Sequence, residues 1–142
     1  MKSSPVLRDD LSAAIVDLDG TMVDTVGDFE VALGRALADL GCKPVDQAFI
    51  RLTVGKGSEH LIRRTLEQAG APAAWYDQAW DRYQHHYLAI NGQHSAVYPG
   101  VLEGLRGLRE RGLKLACLTN KPTAFARPLL QAKGLSDYFA VV

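Results

Sequence analysis

The sequence predicts an α/β fold, a parallel-sheet core of three strands interrupted by an inserted all-helical segment. Three observations lead there. "SAAIVDLDG" is a short, continuous apolar run that stops at Gly20, the pattern of a strand buried in a parallel sheet. Residues 26 to 92 then change to helical spacing throughout. After residue 97, helix and strand alternate, which within one sheet means right-handed βαβ units.

Each element follows from local pattern. Ala13, Ala14, Ile15 and Val16 make the first strand, expected to be covered on both faces. Phe29, Leu33, Leu37 and Leu40 recur at helical spacing, and Gly41 is a helix stop. Pro44 opens a new segment, with a short helix in "QAFIRLTVG". Ser58 is placed to cap the next helix, where Leu61, Ile62, Thr65, Leu66 and Ala69 share a face up to Gly70. Pro72 opens a fourth helix with Trp75, Ala79, Tyr83, Tyr87 and Ile90 on one side. Pro99-Gly100 marks a turn. Val101, Leu102, Leu105 and Leu108 then form a helical stripe ending at Gly112. "LKLACLTN" reads as the second buried strand, "TAFARPLLQAKGL" as a helix with a proline near its start, and "YFAVV" as the third strand. The predicted division is a core from 1–22 and 98–142, and a helical cap over 23–97.

Sixteen basic and sixteen acidic side chains cancel in a chain of 142 residues. That balance leaves no electrostatic footprint for nucleic acid or an anionic membrane. Arg63-Arg64 and the group Arg106, Arg109, Arg111 and Lys114 read as solvated helix faces. No apolar run approaches the ~20 residues that span a bilayer. "MKSSPVLRDDLSA" lacks the apolar core of a secretory signal. Cys42 and Cys117 form no C-x-x-C pair and read as reduced thiols of a cytoplasmic protein.

The first strand ends in Asp17 and Asp19. Alternate residues of an extended chain point the same way, so both can face one site. In an open α/β sheet, ligands bind beyond the carboxyl ends of the strands. There Asp17 can act as a nucleophile toward phosphorus and Asp19 as the acid and base. A divalent cation would relieve the repulsion between the acids and a phosphate, and hard oxygen donors suit Mg²⁺. Taken alone, D-x-D-G is equally compatible with a solvated D-G turn. The second strand, ending in Thr119 and Asn120, favours chemistry, because separate strand ends converge in a phosphate site.

"DLDGTMVDT", followed after a helical insert by "YPGVLEGLRGLRERGLKLACLTNKP", resembles the haloacid dehalogenase-like superfamily, and within it the phosphoglycolate phosphatase group. The resemblance implies a Rossmann-like core with a small mobile helical cap, and a flap and hinge over 20–27. It implies a Mg²⁺-dependent phosphatase acting on a small phosphorylated metabolite, with 2-phosphoglycolate as the leading substrate. Asp17 would be nucleophile and metal ligand. Asp19 would be acid/base and bind the metal through its carbonyl. Thr119, with the Asn120 and Gly20 backbone, would hold the phosphoryl group. Asp24 matches an acid that often follows D-G-T in the family and is assigned no chemistry.

Lys56, between Gly55 and Gly57, reads either as a cap lysine that meets the substrate's carboxylate or as a surface residue in a turn. "TVGKGSEH" lacks the first glycine of a nucleotide P-loop. Lys121 either touches a phosphate or leaving group or faces solvent. His60, His85, His86 and His94 show no metal spacing, and Trp75, Trp80, Tyr83 and Tyr87 read as cap packing. The family also carries a later lysine and an acidic G-D-x-x-x-D motif, and both would follow the third strand. The expectation is therefore the first part of a longer phosphatase, inactive or impaired alone and prone to self-association through an exposed sheet edge. A phosphomutase, or a non-catalytic phosphate-binding module, are the alternatives.

Overall fold

In chain order the elements are β1 (Ala13–Val16), β2 (Val23–Asp24), α1 (Val26–Asp39), α2 (Gln47–Thr53), α3 (Ser58–Gln68), α4 (Tyr76–Ile90), β3 (Ala96–Val97), α5 (Val101–Glu110), β4 (Lys114–Cys117) and α6 (Thr123–Ala132). They belong to a computed structural model that describes residues 8–142. The beginning of the N-terminal stretch assessed above as a secretory signal lies outside the described residues.

The core sheet pairs β1 with β4 in parallel, Ala13 opposite Lys114 through Val16 opposite Cys117. Leu18, Leu105, Leu115, Leu129, Leu130 and Leu135 form its apolar floor. β1 is not covered on both faces as expected. Ala14 and Val16 pack inward, whereas Ile15 is 69% exposed. Side chains alternate across a strand, and the helices here pack against only one side of it. "YFAVV" does not form a full strand either. It makes a single parallel bridge, Val141 with Ala116, after a 3₁₀ turn at Ser136–Tyr138. The proline of α6, Pro128, sits inside the helix rather than near its start.

The helical segment has its own apolar centre: Phe29, Leu33, Ile50, Leu61, Ile62, Tyr83 and Tyr87. Asp46 caps α2 by accepting from the Phe49 N–H at 2.8 Å. Ser58 does not cap α3. It is the first helical residue, and Gly57 is the N-cap, with no side-chain cap bond. Phe125 of α6 packs into the aromatic cluster of the cap, with its ring 4.8 Å from that of Tyr87.

Two connections join cap and core, and the sequence pattern did not reveal how they pair. β2 and β3 form an antiparallel pair, Val23 opposite Val97. Asp28, fully buried, accepts from Gly92 N–H at 3.0 Å and His94 N–H at 2.7 Å. Gly27 lies so close to the His94 carbonyl that a Cβ there would run into it. Both cysteines are free thiols. No helix among the described residues is long and apolar enough to cross a membrane.

Candidate active site

Leu18 separates the two aspartates and points into the core, fully buried, so its neighbours point out. Its carbonyl receives N–H groups from Thr21, Met22 and Val23, which closes a tight turn. Gly20 makes the turn possible at φ 75°, a conformation that side chains rarely adopt. The turn returns Thr25 to the strand end, where its hydroxyl donates to Asp19 Oδ1 at 2.8 Å. Asp17 Oδ1 accepts from the Leu18 N–H at 2.7 Å.

Parallel pairing brings the end of β4 alongside, with Leu118 N–H donating to the Val16 carbonyl at 3.0 Å. Thr119 Oγ1 accepts from the Lys121 N–H at 3.1 Å, which leaves its own hydroxyl proton free to donate. Asn120 reaches across to the cap, where its Nδ2 donates to the Gly55 carbonyl at 2.8 Å.

Lys121 turns inward. It is 7% exposed, and its Nζ lies 3.1 Å from Asp19 Oδ1. The ammonium also sits over the rings of Phe29 and Tyr87, at 4.5 and 4.6 Å from their centroids. Burial pushes its pKa down, and the Asp19 carboxylate opposes that shift. Of the two readings of Lys121 from the sequence, solvent exposure is therefore overturned. Beneath the site, burial raises the Cys117 thiol to about 11, with Asp17 and Asp19 adding to the effect.

A cavity of about 290 Å³ opens between core and cap. Asp17, Asp19, Thr119, Asn120 and Lys121 line one wall. Phe29, Val54, Gly55, Gly57, Ser58 and Leu61 line the other. Lys56 is exposed and is not among the lining residues, although both neighbouring glycines are. Gly20 is also outside the wall, and its N–H is used by the Val23 carbonyl at 2.9 Å. Asp24 pairs with Arg51 at 3.5 Å on the other side of the hinge. Sequence reasoning missed Thr25 as the partner of Asp19 and the aromatic seat of Lys121. Thr25 is the last residue of the quoted motif, but only the turn geometry shows where it points.

Carboxylates and a hydroxyl at the carboxyl ends of parallel strands, beneath a helical lid, define a capped α/β protein whose cavity lies where open α/β sheets bind ligands. The chain belongs to the haloacid dehalogenase-like hydrolases, whose family model matches residues 11–142. It is 43% identical over 132 residues to a plasmid-encoded phosphoglycolate phosphatase of Cupriavidus necator, covering 92% of this chain and 57% of that one. It is 39% identical to the phosphoglycolate phosphatase of Nitrosospira multiformis, covering 93% of this chain and 60% of the relative. A crystal structure from Haemophilus somnus, described as a predicted phosphoglycolate phosphatase, superposes with a TM-score of 0.85 at 27% identity, covering 92% of this chain and 61% of that one. The chain thus spans less than two thirds of the length of each.

Proposed function

We propose that this chain supplies the nucleophile and the acid/base of a cytoplasmic phosphatase that hydrolyses a small phosphorylated acid, 2-phosphoglycolate, within a longer polypeptide. The carrying observation is that Asp17, Asp19 and Thr119, from two separate strand ends, line one wall of a single cavity. The names of the relatives supply the substrate.

In this reading Asp19 takes up a proton from solvent as the ester binds; an Asp17 carboxylate oxygen then attacks phosphorus, the ester P–O bond breaks, and Asp19 gives that proton to the departing oxygen. Asp19 then takes a proton from water as the water oxygen attacks the aspartyl-phosphate. Inorganic phosphate leaves and the Asp17 carboxylate is restored. Thr119 and the Asn120 backbone hold the phosphoryl oxygens. Lys121 and Thr25 fix the orientation of Asp19 through one of its oxygens, leaving the other for proton transfer.

The donors offered to a metal are oxygens, the kind that Mg²⁺ takes. Among the described residues no group of three or more His, Cys, Asp or Glu side chains gathers as a metal site. The Asp17 carboxylate and the Asp19 carbonyl would hold the ion, with water in other positions, and the ion would neutralise charge on the phosphoryl oxygens.

The test is phosphate release by the full-length protein from a panel of phosphorylated acids and sugars, with and without Mg²⁺. Asp17→Asn should abolish turnover without unfolding the protein. Robust activity in that variant would exclude the covalent route. Isomerised sugar phosphate in place of free phosphate would identify a phosphomutase instead.

A further inference from the structure

The second crossover between cap and core, residues 91–95, is held by charged side chains from both sides. Asp28 of the cap takes the Gly92 and His94 N–H groups. Lys133, at the C-terminal end of core helix α6, takes carbonyls of the same segment. Its ammonium donates to the Gly92 carbonyl at 2.8 Å and to the Ser95 carbonyl at 2.6 Å. Asn91 adds another tie to α6, its Nδ2 donating to the Phe125 carbonyl at 2.9 Å. Gly92, at φ 85°, lies so close to α6 that a Cβ there would stand 3.4 Å from the Ala132 Cβ.

Lys133, Asn91 and Asp28 do not line the catalytic cavity. Helix α6 has 10 residues, so it is about 15 Å long. Thr119 and Lys121 precede its near end, and Lys133 stands at its far end. Charge-assisted hydrogen bonds are roughly twice as strong as neutral ones, and those of Lys133 are partly buried. At the mouth of the cavity, the bond from Asn120 to the Gly55 carbonyl is neutral and exposed. Cap and core are therefore joined firmly along α6 and loosely at the mouth. A body held this way turns about its firm side.

We infer that Lys133 is a positioning residue: it bolts the second crossover to α6 and makes that end of the helix the pivot about which the cap turns over Asp17, Asp19 and Thr119. The tie itself stands apart from the phosphatase reading, whereas its kinetic consequence rests on that reading. Without the ammonium, the crossover keeps its Asp28 bonds to the cap but loses part of its hold on the core. The cap then samples orientations in which Val54, Gly55 and Leu61 no longer face the strand ends. Fewer molecules are ready to close on a ligand, and the apparent dissociation constant rises by the same factor. A bound ligand restores the closed arrangement, so turnover at saturation is kept.

The test compares the full-length protein with its Lys133→Met variant. Hydrogen exchange across 91–95 should quicken by about tenfold, while the Leu33 and Tyr83 amides of the cap helices keep their protection. With 2-phosphoglycolate and Mg²⁺, KM should rise by about tenfold and kcat should stay within about twofold. Lys133→Arg keeps the charge and the donors and should restore both readings. Asn91→Ala cuts the neighbouring tie to α6 and should move both in the same direction as Lys133→Met. It decides the matter if Lys133→Met does not fold. A lysine that merely stabilises the fold gives the opposite split, a kcat lowered with the folded fraction at unchanged KM, and exchange quickened throughout the chain. Either of those results, or unchanged exchange at 91–95, overturns the inference while leaving the phosphatase reading intact. If no ester in the panel is turned over, the phosphatase reading falls, and the exchange comparison alone sustains or overturns the pivot.

Discussion

Replacing Lys121 by methionine removes a charge from the centre of the molecule while keeping a stem of similar length. The side chains of Lys121 and Asp19 are 2% and 10% exposed, with Nζ 3.1 Å from Oδ1. Deleting one member of a buried pair typically costs about 3–5 kcal/mol, because the other charge remains without its partner. Two features lower the figure here. Asp19 retains the Thr25 hydroxyl, and it lines a cavity that water can enter. The cation over the Phe29 and Tyr87 rings adds up to ~2 kcal/mol when desolvated, of which a methionine sulfur recovers part. The net loss should be about 3 kcal/mol, read as a shift in denaturant midpoint at constant slope. Adding Asp19→Asn should return part of that loss, since the uncompensated charge is then gone. A Lys121→Met variant within ~0.5 kcal/mol of the parent, a change typical of surface sites, would refute the buried pair.

Other expectations follow from the same geometry. Asp28→Ala strips two backbone N–H groups of their acceptor at the hinge and should cost about 2 kcal/mol in unfolding free energy, with Gly27→Ala also destabilising through its collision with the His94 carbonyl. A thiol reagent at pH 8 should modify half-buried Cys42 well before Cys117, which is buried and has a thiol raised to about 11; competition between the two sites, followed by mass spectrometry, checks this. The His86 hydrogen bond holds Asp39 below its ordinary 3.8 against the opposing effect of desolvation, helped by the charges of His86, Arg82 and His85. That contribution is present above the unfolded value and is lost as pH falls through the depressed folded one, so Asp39→Asn should flatten the fall in stability below pH 4. The isolated 142-residue chain should self-associate along the free edge of β1, where Ile15 is 69% exposed and, near the sheet's end, Leu118 is 68% exposed; Ile15→Lys should lower the mass seen by light scattering.

The sequence by itself determined the class of fold, the cap helices and the shared face of the two acids at the end of the first strand. Those features are local. Phe29, Leu33 and Leu37 share a helix face by spacing alone, and Asp17 and Asp19 share a strand face because alternate residues do. Thr119 was legible as a strand end for the same reason. Tertiary structure decided what depends on partners far along the chain. Lys121 is buried because it meets an aspartate 102 residues earlier and two rings from the cap, and no local pattern around "TNKP" encodes that encounter. Ser58 looked like a cap because it precedes an apolar helical face, but the chain enters that helix through Gly57 and leaves the first turn open to the cavity. The pairing of Val23 with Val97 was unreadable because strands of two residues are too short to show a period. Ile15 reads as core in the sequence and lies on the surface in the fold, because apolar content sets what a residue favours, while only the arrangement of neighbouring elements sets what covers it.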